Sequence, residues 1–162
     1  MMMMYVGIDP GKTGAIALLS DTGDLLEVVD MPLVDRKISA PVVGGVLARL
    51  TTDRSDVGVI AVEEVNAMPG QGVTSMFTFG QAHGIVLGAA ATVAMMSRGW
   101  RLTRPTPQAW KKHHGLIGKE KDASRALAHN LWPHLATSTF RNKTNGRADA
   151  ALIALYAKEN LR

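Results

Sequence analysis

Short apolar runs alternate along the chain with clusters of turn-forming residues. "MYVGID" (4–9), "AIALLS" (15–20) and "LLEVVDM" (25–31) are separated by "DPGKTG" and "DTGD". Apolar runs of this length bounded by Gly, Asp, Pro and Thr predict three strands joined by hairpins. "SAPVVGGVLARLTT" (39–52) changes period: Val42, Val43, Val46, Leu47 and Leu50 share one helical face, and Ser39 is placed to cap it. "DVGVIAVEE" (56–64) predicts a buried strand that ends in Glu63 and Glu64, and "VNAMPGQGV" (65–73) a glycine-rich loop. A long helix is expected from Thr74 to about Arg98, then an extended piece "WRLTRPTP" (100–107). Helices are expected at 107–114 and 119–131, split at Gly115 and Gly118, followed by the loop "PHLATSTFRNKTNG" and a last helix "RADAALIALYAKE" (147–159).

This order predicts an α/β fold with five strands in one domain, 1–162. The fourth strand follows a crossover helix, so it can lie parallel to the first. In open sheets of this kind, sites form at the carboxyl ends of neighbouring parallel strands. Asp9 closes the first strand and Glu63 the fourth.

Composition changes this picture little. Hydrophobic residues are 46% and charged residues 20%, as in ordinary globular chains. The absence of cysteine excludes disulfides and thiolate sites and fits a reducing compartment. The first residues show no basic n-region or cleavage site, so no signal peptide is read. The longest uncharged apolar run, residues 84–97, is too short at 14 residues to span a bilayer, and no membrane partner is expected.

Charge distribution changes it more. Residues 98–147 hold 11 Lys or Arg against only Glu120 and Asp122, a net +9. The remainder holds 7 basic and 12 acidic residues, a net −5. A basic half of this density is a footprint for a polyanion such as DNA.

"YVGIDPGKTGAIALL" (5–19) contains Gly-Lys-Thr, the tail of a phosphate-binding loop. A full P-loop needs a glycine five residues before Gly11, where Val6 stands, and it would place Asp9 among the amides meant for phosphate. The Asp-x-Gly-x-Thr-Gly pattern also resembles the first phosphate loop of actin-like sugar kinases, but those need a second domain for which 162 residues leave no room. The remaining reading takes Asp9 as a metal ligand. Hard cations such as Mg²⁺ want oxygen donors, and a two-ion site needs several carboxylates from distant parts of the chain. Asp149 is the third candidate. Leu152, Ile153 and Tyr156 follow it at helical spacing, so it shares their apolar stripe. A carboxylate there needs a partner. Asn145 is placed to cap this helix.

"YVGIDPGKTGAIAL", "IAVEEV", "FGQAHGIVLGAA" and "RADAALIALY" resemble, in order and spacing, the RuvC-type Holliday junction resolvases, over nearly the whole chain. The resemblance implies an RNase H-like fold, a mixed five-stranded sheet flanked by helices. It implies a structure-selective endodeoxyribonuclease that cuts four-way junctions by in-line attack of water, leaving a 5′-phosphate and a 3′-hydroxyl. By position Asp9, Glu63 and Asp149 match catalytic acids, and Lys111 and Lys121 match lysines near the scissile phosphate. Mg²⁺ or Mn²⁺, two ions per site, would be held by Asp9, Glu63, Asp149 and Asn145. DNA would be met by Lys12, Asn66, Gln71, Ser75, Lys111, Lys112, Lys119, Lys121, Arg141 and Lys143. A homodimer is implied, acting in the cytoplasm of a bacterial or phage-infected cell. A broader branched-DNA, flap or RNA–DNA hybrid nuclease and an inert DNA-binding domain are the alternatives.

The chain departs from the family pattern at two places. The usual fourth ligand, three residues before the last acid, is replaced by Gly146, leaving Asn145 and Glu64 as substitutes. The usual aromatic wedge, three residues after the second acid, is replaced by Asn66, with Phe77 and Phe79 as nearby aromatics. Gly80, Gly84 and Gly88 lie on one helical face and imply close backbone approach, either to a second copy or to the protein's own sheet. His113 and His114 are expected to be solvated or to contact phosphate, and not to form a metal pair, because adjacent helical residues diverge. Trp100, Trp110 and Trp132 are read as packing, and His83 as a core or interface residue.

Overall fold

The structure is a computed structural model that describes residues 2–52, 57–67, 69–135, 139–140 and 145–161, with nothing stated of the Thr52 side chain. Among the described residues, seven strands form: β1 Met3–Asp9, β2 Ala15–Leu19, β3 Leu25–Asp30, β4 Leu33–Val34, β5 Lys37–Ile38, β6 Val57–Val62 and β7 Trp100–Thr103. The helices described are α1 Ala40–Thr52, α2 Val73–Met96, α3 Pro107–His113, α4 Ala123–Leu131 and α5 Gly146–Asn160. A 3₁₀ turn covers Pro133–Leu135.

The main sheet runs β3-β2-β1-β6-β7. β1, β2 and β3 form the expected antiparallel meander, and β1, β6 and β7 are parallel. Alternation along the central strands sends Met4, Val6, Ile8, Ile60 and Val62 into one core, beneath α1 and α2. Tyr5, Val59 and Ala61 enter the other core, beneath α3, α4 and α5. By the same alternation, Asp9 and Glu63 belong to the α5 face.

α5 lies close to the sheet because both surfaces are small-residue surfaces. Ala148, Ala150, Ala151, Ala154 and Ala157 are buried on it. A Cβ on Gly7 would lie 2.1 Å from the Ala150 carbonyl oxygen and 2.3 Å from the Ala154 nitrogen. The buried surface of α5 is thus wider than the expected Leu152–Ile153–Tyr156 stripe, and Tyr156 itself is half-buried.

Four local expectations are corrected. A two-stranded hairpin, β4–β5, stands where none was expected. Its turn residues Asp35 and Arg36 take φ of 50° and 61°, and no glycine marks it. α4 starts at Ala123 and not at 119. Gly115 and Gly118, at φ of 68° and 70°, turn the chain before it. Asn145 precedes α5 without a side-chain capping bond. The apolar run 84–97 is part of the 24-residue α2, which is long and apolar enough to cross a membrane by length and composition. One face of α2, including His83, Val86, Ala90 and Val93, is buried on the protein's own core.

The Gly7 contact gives a stability prediction. Gly7→Ala should cost on the order of 3 kcal/mol through overpacking against the α5 backbone. Gly45→Ala, on an exposed helical position with open space around it, should gain up to about 1 kcal/mol. Chemical denaturation of the two variants checks the contrast, and equal small effects would contradict it.

Candidate active site

Strand register brings the first two carboxylates together. Ile8 pairs with Val62, and the ladder continues one step further as the Glu63 amide donates to the Ile8 carbonyl at 3.1 Å. Asp9 and Glu63 therefore sit side by side at the carboxyl edge of β1 and β6. Asp149, in the first turn of α5, closes the group from above that face. The charges of Glu63 and Asp149 act on Asp9, and that of Asp149 on Glu63.

Burial shifts all three acids upward, and the crowding adds to it at Asp9 and Glu63. Burial, followed by the charges of Glu63 and Asp149, pushes the Asp9 carboxyl up to about 7, opposed by the Gly11 amide and Lys111. Burial also raises Glu63 and Asp149. Perturbation of grouped carboxylates at a sheet edge marks a candidate functional site.

Four side chains and one amide hold these acids in place. The Gly11 amide donates to Asp9 Oδ1 at 3.3 Å. Trp110 Nε1 donates to Glu63 Oε1 at 2.9 Å, so this fully buried Trp positions an acid as well as packing. Ser124, buried at the start of α4, donates to Asp149. His83 Nε2 lies 3.2 Å from the Glu63 carbonyl oxygen. Lys111 sits 5.3 Å above the Trp110 ring, and its charge favours ionisation of all three acids. Trp110 and Ser124 were not legible as site residues, because nothing in their spacing announces a bond to an acid far away in sequence.

The substitutes for a fourth ligand separate clearly. A Cβ on Gly146 would lie 2.1 Å from the Thr13 carbonyl oxygen, so the turn after Asp9 excludes any side chain there. Glu64 is turned away. Arg104 grips both its oxygens, Nε at 2.6 Å and Nη2 at 2.7 Å, and its amide donates to Pro105. Asn145, four residues before Asp149, donates its side-chain amide to the Lys121 carbonyl, while its Oδ1 is buried with no hydrogen-bond partner among the described residues. An orphaned buried oxygen one helical turn from Asp149 suits a hard cation. The donor set of three carboxylates and one amide oxygen thus fits magnesium-class ions.

Gly-Lys-Thr serves as a tight turn: Gly14 donates to Gly11 at 2.9 Å, and a Cβ on Gly14 would lie 2.1 Å from the Asp9 carbonyl oxygen. Two clefts flank the acids. One, of about 370 Å³, is lined by Asn66, Gln71, Phe77, Phe79 and His83. The other, of about 430 Å³, is lined by Lys12, Thr13, Ser75, Thr78 and Phe79. Lys112, in the last turn of α3, and Lys119 and Lys121, on the turns before α4, are exposed. Arg141 and Lys143 lie outside the described residues. Part of the basic segment is neutralised locally, since Arg104, Arg125 and Arg147 pair with Glu64, Asp122 and Asp30. The expected histidine roles change: His113 pairs with Glu159 at 2.6 Å, and half-buried His114 bonds the Leu152 carbonyl at 2.8 Å.

The sheet order and the flanking helices are those of an RNase H-like fold. More closely, it is the fold of RuvC. The chain superposes on the Thermus thermophilus RuvC structure with a TM-score of 0.64 at 18% identity, covering 99% of this chain and 98% of that one. It superposes on T. thermophilus RuvC in complex with Holliday junction substrate with a TM-score of 0.59 at 20% identity, covering 95% and 91%. In sequence it is 38% identical over 102 residues, 59% of its length, to "Holliday junction resolvase MOC1, chloroplastic" of Chlamydomonas reinhardtii. The match spans only 10% of that relative. The chain matches no protein-family model.

A pH dependence follows from Asp9. Its folded-state value of about 7 lies above its ordinary 3.8, so the folded protein holds this proton more tightly than the unfolded chain. Stability from this group is present below about pH 4 and is lost as pH rises through about 7. Without divalent metal, Asp9→Asn should therefore be more stable than the native sequence at pH 8, by roughly 1–3 kcal/mol, and equal to it near pH 4. Urea denaturation at the two pH values checks this; a variant less stable at pH 8 would contradict it.

Proposed function

We propose that this chain is a metal-dependent, structure-selective endonuclease that resolves four-way DNA junctions. The reading is carried by one observation: Asp9, Glu63 and Asp149 converge at the carboxyl edge of parallel strands in a RuvC fold. The name of the sequence relative and the junction-bound structural neighbour point the same way.

Asp9, Glu63, Asp149 and the Asn145 Oδ1 would hold Mg²⁺ or Mn²⁺, two ions per site. Ions of this class, when bound, activate water and offset charge on the leaving oxygen of a phosphodiester. The protein's own part is positional. Trp110 and Ser124 fix the rotamers of Glu63 and Asp149, and Lys111 brings positive charge to where a scissile phosphate would lie. Lys121 would add charge from the turn that accepts the Asn145 amide. Lys12 and Ser75 in one cleft, and Asn66 and Gln71 in the other, would meet the DNA strands, with Lys112 and Lys119 on the approach. Phe79, whose ring edge would lie 3.9 Å from a Cβ on Gly11, and Phe77, 73% exposed, would replace the missing aromatic wedge.

Two copies would act together. Gly80, Gly84 and Gly88 face open space, with nothing within 4 Å of a Cβ at any of them. Gly44, Gly84 and Gly88 help line a groove of about 400 Å³ between α1 and α2. A two-fold homodimer through α2 would bring two equivalent sites to a two-fold junction. A cytoplasmic setting, in a bacterial or phage-infected cell, goes with a DNA substrate and a cysteine-free chain.

Cleavage assays with Mg²⁺ or Mn²⁺ test this reading on a mobile four-way junction, a flap, an RNA–DNA hybrid and a linear duplex. Paired symmetric cuts are expected on the junction alone, abolished in Asp9→Asn and slowed about 10²-fold or more in Lys111→Ala. Cutting of the flap or hybrid at equal rate would favour the broader nuclease. Junction binding without cutting in either metal would identify an inert binding domain.

A further inference from the structure

The far ends of α3 and α5 carry a second cluster of ligating side chains that the carboxylate site does not use. His113, His114 and Glu159 each bring one donor atom to within 4.8 Å of the other two. The His113 and His114 rings meet edge-on with centroids 4.9 Å apart, and His113 packs edge-on against Tyr156 at 5.4 Å. Adjacent helical residues normally diverge. Here His113 is the last residue of α3 and His114 its cap, at φ −87° and ψ 6°. The Leu116 amide closes on the Lys111 carbonyl and the Gly115 amide on that of Lys112, with Gly115 at φ 68°. This αL closure ends the helix and turns the two rings to the same side.

The hydrogen bonds prepare His114 as a ligand. Its Nε2 lies 2.8 Å from the Leu152 carbonyl oxygen, which only accepts, so Nε2 carries the proton. The lone pair of the neutral ring is then on Nδ1. Metal-bound histidines are commonly held this way, with the second ring nitrogen donating to a backbone carbonyl. Burial holds His114 below the ordinary imidazole value, which keeps that lone pair available. His113 and Glu159 are 33% and 41% exposed, so a cation can reach them from solvent.

We propose that His113, His114 and Glu159 form a binding site for one transition-metal cation of the zinc class, which ties the end of α3 to the last turn of α5. Two imidazoles and one carboxylate suit zinc, with water as fourth ligand, and do not suit magnesium. The cation would replace the His113–Glu159 hydrogen bond with two coordinate bonds. Its placement gives it a structural consequence: α3 carries Trp110 and Lys111, and α5 carries Asp149, so pinning the two helices steadies three side chains of the carboxylate site.

Calorimetric titration of Zn²⁺ into the intact, untagged protein in excess Mg²⁺ tests this, alongside melting curves. One Zn²⁺ per chain is expected in the native sequence and in Asp9→Asn alike, with a rise in Tm. His113→Gln and Glu159→Gln, both at accessible positions, should each weaken uptake about tenfold or more and remove the Tm rise, while the metal-free Tm falls only slightly through loss of their mutual exposed bond. Co²⁺ in place of Zn²⁺ should give visible d–d absorption that is lost in His113→Gln. Uptake unchanged in both variants, uptake lost in Asp9→Asn instead, or no uptake by the folded native protein would each overturn the proposal.

Discussion

Three carboxylates crowded together out of bulk water repel one another, and much of this fold is arranged to keep them there. β1 and β6 pair in parallel with a register that sets Asp9 beside Glu63. α5 is brought onto the same face by glycine and alanine surfaces, so Asp149 arrives from above. The two-pronged ion pair of Arg147 with Asp30 fastens the start of α5 to the end of β3. The cost of the crowding appears in the acids themselves: burial raises all three, and neighbouring carboxylate charge adds to it at Asp9 and Glu63. A site that resists losing protons without a counter-charge is one that gains most from a cation.

The same close packing accounts for the missing acid. α5 begins against the Thr13–Gly14 turn, and any side chain at 146 would strike the Thr13 carbonyl. The glycine is therefore a condition of bringing Asp149 near Asp9. One residue earlier, Asn145 has its amide nitrogen committed to the Lys121 carbonyl and its Oδ1 buried and unpaired among the described residues, which makes it the substitute ligand proposed above. The Gly-Lys-Thr stretch belongs to this arrangement as a turn that lets two backbones touch.

Strand order, helix order and the acids at the sheet edge were legible in the sequence because each rests on periodicity or on a residue that closes an apolar run. Asp9 and Glu63 each close an apolar run, which marks them as neighbours at the carboxyl ends of parallel strands, and helical spacing puts Asp149 on a buried stripe. Side-chain partners were not legible. Trp110 reads as a core residue from its neighbours, and only the fold brings its indole to Glu63. Ser124 reads as an ordinary helix-start residue. The His113 and His114 rings meet edge-on where ideal helical geometry has them diverge, because a glycine closure ends the helix there. The β4–β5 hairpin was missed because Asp35 and Arg36 adopt positive φ without the glycine that normally signals it.

In the function proposed above, Asp9, Glu63, Asp149 and Asn145 form one cation site. Anomalous diffraction from crystals soaked in Mn²⁺ tests it most directly. The account predicts manganese peaks within coordination distance of Asp9 and Asp149, with Glu63 and the Asn145 Oδ1 completing the ligand set. No manganese between Asp9 and Asp149, or manganese bound with the Asn145 Oδ1 outside coordination distance, would contradict this ligand set.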